Sequence, residues 1–131
     1  MLEGAAQQLR ELGFAGPETY SAGTDFHVAF RRGPVEVSVF SEDMGTNFPN
    51  ATVRWPDGSW TYVVGGGAHP TYGGEYPAHE ELWAASGWWK RRAVRKRLGC
   101  ALEEEFVSRA IRLIHAAARV VQEADRAAGA V

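Results

Sequence analysis

Residues 101–127 read ALEEEFVSRAIRLIHAAARVVQEADRA. Leu102, Phe106, Ala110, Leu113, Ile114, Ala117, Val121 and Ala124 recur there at steps of three and four, which places them on one stripe of an α-helix. Arg109, Arg112, Arg119, Gln122, Glu123 and Arg126 fall mostly on the other side. Glu103, Glu104 and Glu105 occupy the expected first turns, where unpaired N–H groups favour negative charge. A helix this long with so wide an apolar stripe is not stable alone. The rest of the chain must therefore provide a surface that covers it.

The upstream sequence offers that surface. Leu2, Ala5, Leu9 and Leu12 form the stripe of a short first helix, with Gly13 at its C-cap and Phe14 folding back on the last turn. Gly16-Pro17 then breaks the chain and leads into a sheet. Residues 24–32 alternate, with Phe26, Val28 and Phe30 on one side and Asp25, His27, Ala29 and Arg31 on the other, the period of a half-buried strand. Val35, Val37 and Val39 alternate with Glu36, Ser38 and Phe40 after a tight link at residues 32–34, predicting a hairpin. A polar loop over 41–50 leads to a third strand with Ala51, Val53 and Trp55. Residues 56–59 (PDGS) form a turn, and Trp60, Tyr62 and Val64 return as a fourth strand, with Trp55 and Trp60 placed to pair across the turn. The expectation is a single α+β domain over 1–131: a four-stranded antiparallel meander after a short N-terminal helix. The long C-terminal helix packs as a second layer on the face carrying Phe26, Val28, Phe30, Val35, Val37, Val39, Val53 and Tyr62.

Between sheet and long helix the chain changes character. Residues 65–77 (GGGAHPTYGGEYP) are rich in glycine and proline, and connections of this length tend to be functional or disordered. Residues 79–86 (HEELWAAS) predict a short helix ended by Gly87. Residues 88–98 (WWKRRAVRKRL) predict another, closed by Gly99 before the long one.

A chain of 131 residues with 45% hydrophobic and 23% charged residues suits one globular domain. The net charge of −2 is unevenly spread. Residues 1–87 carry four basic against eleven acidic groups, a net of −7, and residues 88–131 carry ten against five, a net of +5. One cysteine, Cys100, excludes an intramolecular disulfide and fits a reducing cytoplasm. The N-terminus has no apolar core of signal-peptide length, and no stretch approaches the roughly 18 apolar residues of a membrane span, so no membrane association is expected. High Ala, Arg and Gly with only two lysines suits a GC-rich bacterial genome.

The densest candidate for recognition is the basic run Lys90, Arg91, Arg92, Arg95, Lys96 and Arg97, preceded by Trp88 and Trp89. On a helix Arg91 and Arg95 share a face, as do Arg92 and Lys96. Such a patch attracts phosphates or an acidic protein surface, and indoles beside it stack on bases or partner side chains. The plainer reading of the run is a solvated helix that pairs with the chain's own acidic N-terminal part, anchored by Trp89, Val94 and Leu98. Tyr72, Tyr76 and Trp83 extend the aromatic set, giving the expected partner-binding residues Tyr72, Tyr76, Trp83, Trp88, Trp89, Arg91, Arg92 and Arg95. The glycine-rich loop lacks both GxxxxGK[ST] and GxGxxG, so no phosphate cradle is expected. His27, His69, His79 and His115 show no convergent metal-ligand spacing, and no metal, cofactor or catalytic residue is assigned. His115 reads as a packed or boundary histidine. Cys100, at the expected start of the long helix beside three cations, has the setting that lowers a thiol pKa but no identifiable base.

The first helix ending in ELGF (Leu9 to Phe14), the alternations at Phe26–Phe30 and Val35–Val39, and the Trp55–Trp60 hairpin resemble a broad class of small, uncharacterised bacterial α+β proteins. Some of that class are similar to immunity proteins of bacterial toxin systems. The resemblance covers about half of the chain and implies partner binding as the class of function. The expectation is a cytoplasmic, non-enzymatic protein-binding module, an immunity-type inhibitor or regulatory partner, that meets another protein with an acidic surface. Nucleic-acid association through residues 88–97 is the first alternative, and a small enzyme using the His/Glu-containing segment 69–81 the second. A homodimer through a helix face or the sheet edge is compatible with all three.

Overall fold

Helix α1 (Leu2–Glu11) forms where the apolar spacing places it, with Ala5, Ala6 and Leu9 buried. The Phe14 N–H donates to the Leu9 carbonyl at 3.1 Å and the Gly13 N–H to the Arg10 carbonyl at 2.9 Å. Gly13 sits at φ 95°, the left-handed C′ position that a glycine accepts without strain. Phe14 then tucks under the helix end, 3% exposed. The computed structural model describes residues 2–20, 26–41, 49–65 and 74–129.

The sheet has five strands, one more than the alternation indicates: β1 (Ala15–Tyr20), β2 (Phe26–Arg32), β3 (Val35–Ser41), β4 (Asn50–Arg54) and β5 (Trp60–Tyr62). They lie in the order β1-β2-β3-β4-β5, each antiparallel to its neighbour. The extra strand is the segment read as a chain break. Its sequence AGPETY has no period-two pattern, and its proline is tolerated because the strand lies at the sheet edge. Its register against β2 shifts between Ala15 and Glu18, a local irregularity of the kind a bulge makes.

In the centre the pattern holds. Val28 faces Val39, Phe30 faces Val37, Val37 faces Val53 and Val39 faces Ala51. Together with Val35 and Val63 these side chains form the buried inner face. Each such aliphatic or aromatic side chain, fully removed from water, contributes about 1.5–3 kcal/mol. The fourth strand of the meander, now β5, is different. The Trp55 N–H bonds to the Ser59 carbonyl at 2.9 Å, and Asp57 closes the turn by accepting from the Ser59 N–H at 2.9 Å. Pairing Trp55 with Ser59 puts Trp60 opposite Arg54 and Tyr62 opposite Thr52. Tyr62, expected in the core, is therefore on the outer face and 73% exposed, while Val63 points inward. Trp55 and Trp60 do not pair across the turn. Trp55 packs on the core and its Nε1–H donates to the Thr61 Oγ1 at 2.7 Å.

The two helices expected over 88–98 and 101–127 both form and run on as α3 (Trp88–Gly129), two helical stretches that meet at a kink, following α2 (Pro77–Ala84). The kink lies at Leu98, at φ −109° and ψ 17°, one residue before the glycine expected to close the first stretch. Phe106, Ala110, Leu113, Ile114, Ala117 and Val121 are buried as the spacing requires. Ala116 and Ala118 are buried too: Ala116 lies against Gly65 after β5, and α1 packs on α3 beside the sheet. The Phe106 ring meets Phe26 edge-on at 5.2 Å. Far along the helix, Asp125 takes two hydrogen bonds from Arg32, at 2.8 and 2.9 Å. His115 is neither packed nor at a boundary; it is exposed and hydrogen-bonded to Gln8 of α1. Cys100 is exposed and lies two residues beyond the Leu98 kink, early in the second stretch of α3, where the sequence places it.

Candidate functional site

The Glu103–Glu105 run lies in the early turns after the Leu98 kink, where the helix dipole accounts for the exposed Glu103 and Glu104. Glu105 has a different partner. Its Oε2 accepts from the Ala78 N–H at 2.7 Å and its Oε1 from the His79 N–H at 2.9 Å. These are first-turn donors of α2, whose N-cap residue Tyr76 makes no side-chain capping bond. The same Oε1 lies 2.9 Å from His79 Nδ1. Burial pushes the His79 pKa below its usual value, against the opposing pull of the Glu105 hydrogen bond and charge. A neutral imidazole with its proton on Nδ1 satisfies this arrangement. Leu82 is buried beside it, and Glu81 forms an ion pair with Arg97. Helix α2 is thus clamped to α3 at several points, and the corner between the helices is held in place.

That corner displays the residues singled out in the sequence. After Ala84 the chain is extended at Ala85, turns at Gly87 with φ 87°, and enters α3 at Trp88. Trp88 and Trp89 are 63% and 75% exposed, and their rings meet edge-on at 4.5 Å. Arg92 lies over the Trp88 ring at 5.3 Å, one turn further along. Trp88, Arg91, Arg92 and Arg95 line a hollow of about 580 Å³ together with Ala85, Ser86 and Gly87. Val94 is the buried anchor of this half of α3. Of the basic run, Arg97 is engaged by Glu81; no described acid lies within ion-pair distance of Lys90, Arg91, Arg92 or Lys96.

Other expected residues are placed elsewhere. Tyr76 is 2% exposed and is a structural contact: the Arg112 guanidinium lies over its ring at 5.6 Å while pairing with Glu75 at 2.9 Å. It is not available to a partner. Trp83 is half-buried on α2. Tyr72, His69 and most of the glycine-rich segment lie outside the described residues. Within the suggested 69–81 site, His79 is 3% exposed and bonded to Glu105, Glu75 and Glu81 pair with Arg112 and Arg97, and Glu80 accepts from the Gly74 N–H. Among the described residues no group of three or more His, Cys, Asp or Glu could hold a metal ion, and no helix is long and apolar enough to cross a membrane.

A second surface escaped the sequence reading. The outer face of the sheet holds a groove of about 710 Å³ lined chiefly by His27, Glu36, Ser38, Phe40, Thr52, Trp60 and Tyr62. Burial would raise the Glu36 pKa, but hydrogen bonds from Arg31 at 2.8 Å and Ser38 at 3.1 Å, with the charges of Arg31 and Arg54, bring it below the usual carboxylate value. The outward Phe40 was readable from alternation. Trp60 and Tyr62 were not, because their side depends on how the turn pairs Trp55 with Ser59.

Comparison with protein-family models, curated proteins and solved structures finds no match for this chain.

Proposed function

We propose that the protein is a non-enzymatic protein-binding module whose partner presents an acidic surface to the α2–α3 corner, in the manner of an immunity-type inhibitor or regulatory partner in a bacterial cytoplasm. One observation carries this reading: two adjacent tryptophans, more than half exposed and stacked edge-on, stand beside a cluster of arginines on a corner fixed by Glu105 and Arg97. Exposed aromatics flanked by arginine have the composition of interface hot spots, and a rigid platform loses little conformational entropy on binding. Trp88, Trp89, Arg91, Arg92 and Arg95 supply the contact. The experiment is capture of the partner from host lysate by the tagged chain with nuclease present, followed by calorimetry on the pure pair. Trp88→Ala and Trp89→Ala are each expected to weaken binding by about 2 kcal/mol, near thirtyfold in Kd. A partner whose affinity is unchanged in both variants refutes the placement.

The same basic groups favour a second reading, nucleic-acid association, because Lys90, Arg92 and Lys96 are exposed beside indoles able to stack on bases. With about six phosphate contacts, affinity would fall roughly a thousandfold between about 50 and 200 mM salt. Binding that is absent at low salt, or insensitive to it, removes this reading.

A further inference from the structure

The two edges of the sheet are built differently. Edge strand β1 carries Pro17, Glu18 and a register shift, all devices that discourage pairing with another chain. Edge strand β5 and the residues after it read WTYVVG, with no charge and no proline. Trp60, Tyr62 and Val64 are 58%, 73% and 83% exposed. An unprotected apolar edge is an aggregation hazard unless something covers it.

Hydrogen-bond parity shows what the edge offers. The Val63 N–H donates to the Ala51 carbonyl at 3.0 Å, and Trp55 and Ser59 are joined in the same way. Alternation then makes Thr61 the residue that bonds β4, and turns the N–H and C=O of Trp60 and Tyr62 outward. Two outward residues spaced by two form a self-complementary template. We propose that β5 pairs antiparallel with β5 of a second copy, Trp60 opposite Tyr62 of the other copy and the two-fold axis at Thr61, joining two five-stranded sheets through four backbone hydrogen bonds. Each Trp60 side chain then faces a Tyr62 side chain on the outer face, at the mouth of the groove, an aromatic cross-strand pair. Residues 59–65 are uncharged, so this register sets no like charges opposite one another.

The area defines the kind of dimer. Aromatic side chains of about 150–250 Å² at these exposures, with Val64, come to roughly 400–500 Å² per copy. The total of about 800–1,000 Å² lies below that of stable complexes, so the dimer is reversible, with Kd between about 10 µM and 1 mM. This interface is separate from the α2–α3 corner and does not depend on the function proposed for it.

Sedimentation equilibrium of the full chain across that range, with amide hydrogen exchange at both ends of it, is the test. The expected result is a concentration-dependent dimer in which the Trp60 and Tyr62 amides gain protection on association while the Thr61 amide is protected throughout. Tyr62→Pro removes only an outward donor, and Tyr62→Lys places like charges across the junction. Each is expected to raise Kd at least about tenfold, and Trp89→Ala to leave it unchanged. A monomer at every concentration overturns the proposal, including one whose β5 pairs with a strand of a different protein. So does a dimer that both Tyr62 variants leave intact.

Discussion

Three glutamates stand side by side on α3, and removing Glu105 should act differently from removing either of the other two. Glu103 and Glu104 are exposed, and Glu105 is half-buried with its carboxylate on two backbone N–H groups of α2 and on His79 Nδ1. Glu105→Ala removes the only side-chain acceptor found for the first turn of α2 among the described residues. Loss of a helix cap costs about 0.5–2 kcal/mol. The buried imidazole N–H left without an acceptor adds about 1–3 kcal/mol. Partial solvent access after truncation moderates the sum, so about 3 kcal/mol is expected. For a chain of this size that lowers Tm by roughly 10–15 °C. Glu103→Ala and Glu104→Ala should stay within about 0.5 kcal/mol of the parent. Glu105→Gln, which keeps one acceptor and loses the charge, should fall between. Urea unfolding followed by far-ultraviolet circular dichroism measures all four. If Glu105→Ala matches its two neighbours, Glu105 does not hold α2, and the rigidity claimed for the corner goes with it.

The His79 environment predicts a pH dependence. Its folded pKa is depressed by burial, so the folded state binds fewer protons than the unfolded one. The associated stability is present above the unfolded value of about 6.5 and is lost as pH falls from there toward the folded pKa. Urea midpoints taken from about pH 7.5 to 5.5 should drop more steeply for the parent than for His79→Gln; parallel curves would contradict the burial of a neutral imidazole. Gly16 and Gly99 make an opposed pair. A Cβ at Gly16 would lie 2.8 Å from the Ala29 carbonyl oxygen at φ 122°, and one at Gly99 meets nothing within 4 Å inside α3. Gly16→Ala should destabilise by about 2–3 kcal/mol, and Gly99→Ala should stabilise by about 0.5–1 kcal/mol. Thermal unfolding of the two variants gives the signs directly, and a tolerated Gly16→Ala would mean that β1 does not approach β2 as closely as described.

Local periodicity by itself determined the α+β class, the antiparallel hairpin of β2 and β3, and the buried stripe from Phe106 to Val121. Each depends on spacing within one element, where side-chain direction follows from 3.6- or two-residue geometry. The exposed Trp88 and Arg92 were legible for the same reason, since only charged residues follow Trp88 at steps of three and four. What the sequence could not show were pairings between distant segments. AGPETY became a strand only because β2 lies beside it. The two stretches of α3 join through a kink at Leu98, and the first of them is tied to α2 by the Glu81–Arg97 pair. Glu105 became a cap for a helix more than twenty residues earlier, and Tyr76 was drawn inward by that helix and Arg112. Tyr62 changed face through one hydrogen-bonded pair at the turn, because a single step of register reverses every side chain that follows. Tertiary structure decided these points because each rests on hydrogen bonds and burial that exist only once two remote stretches of chain are in contact.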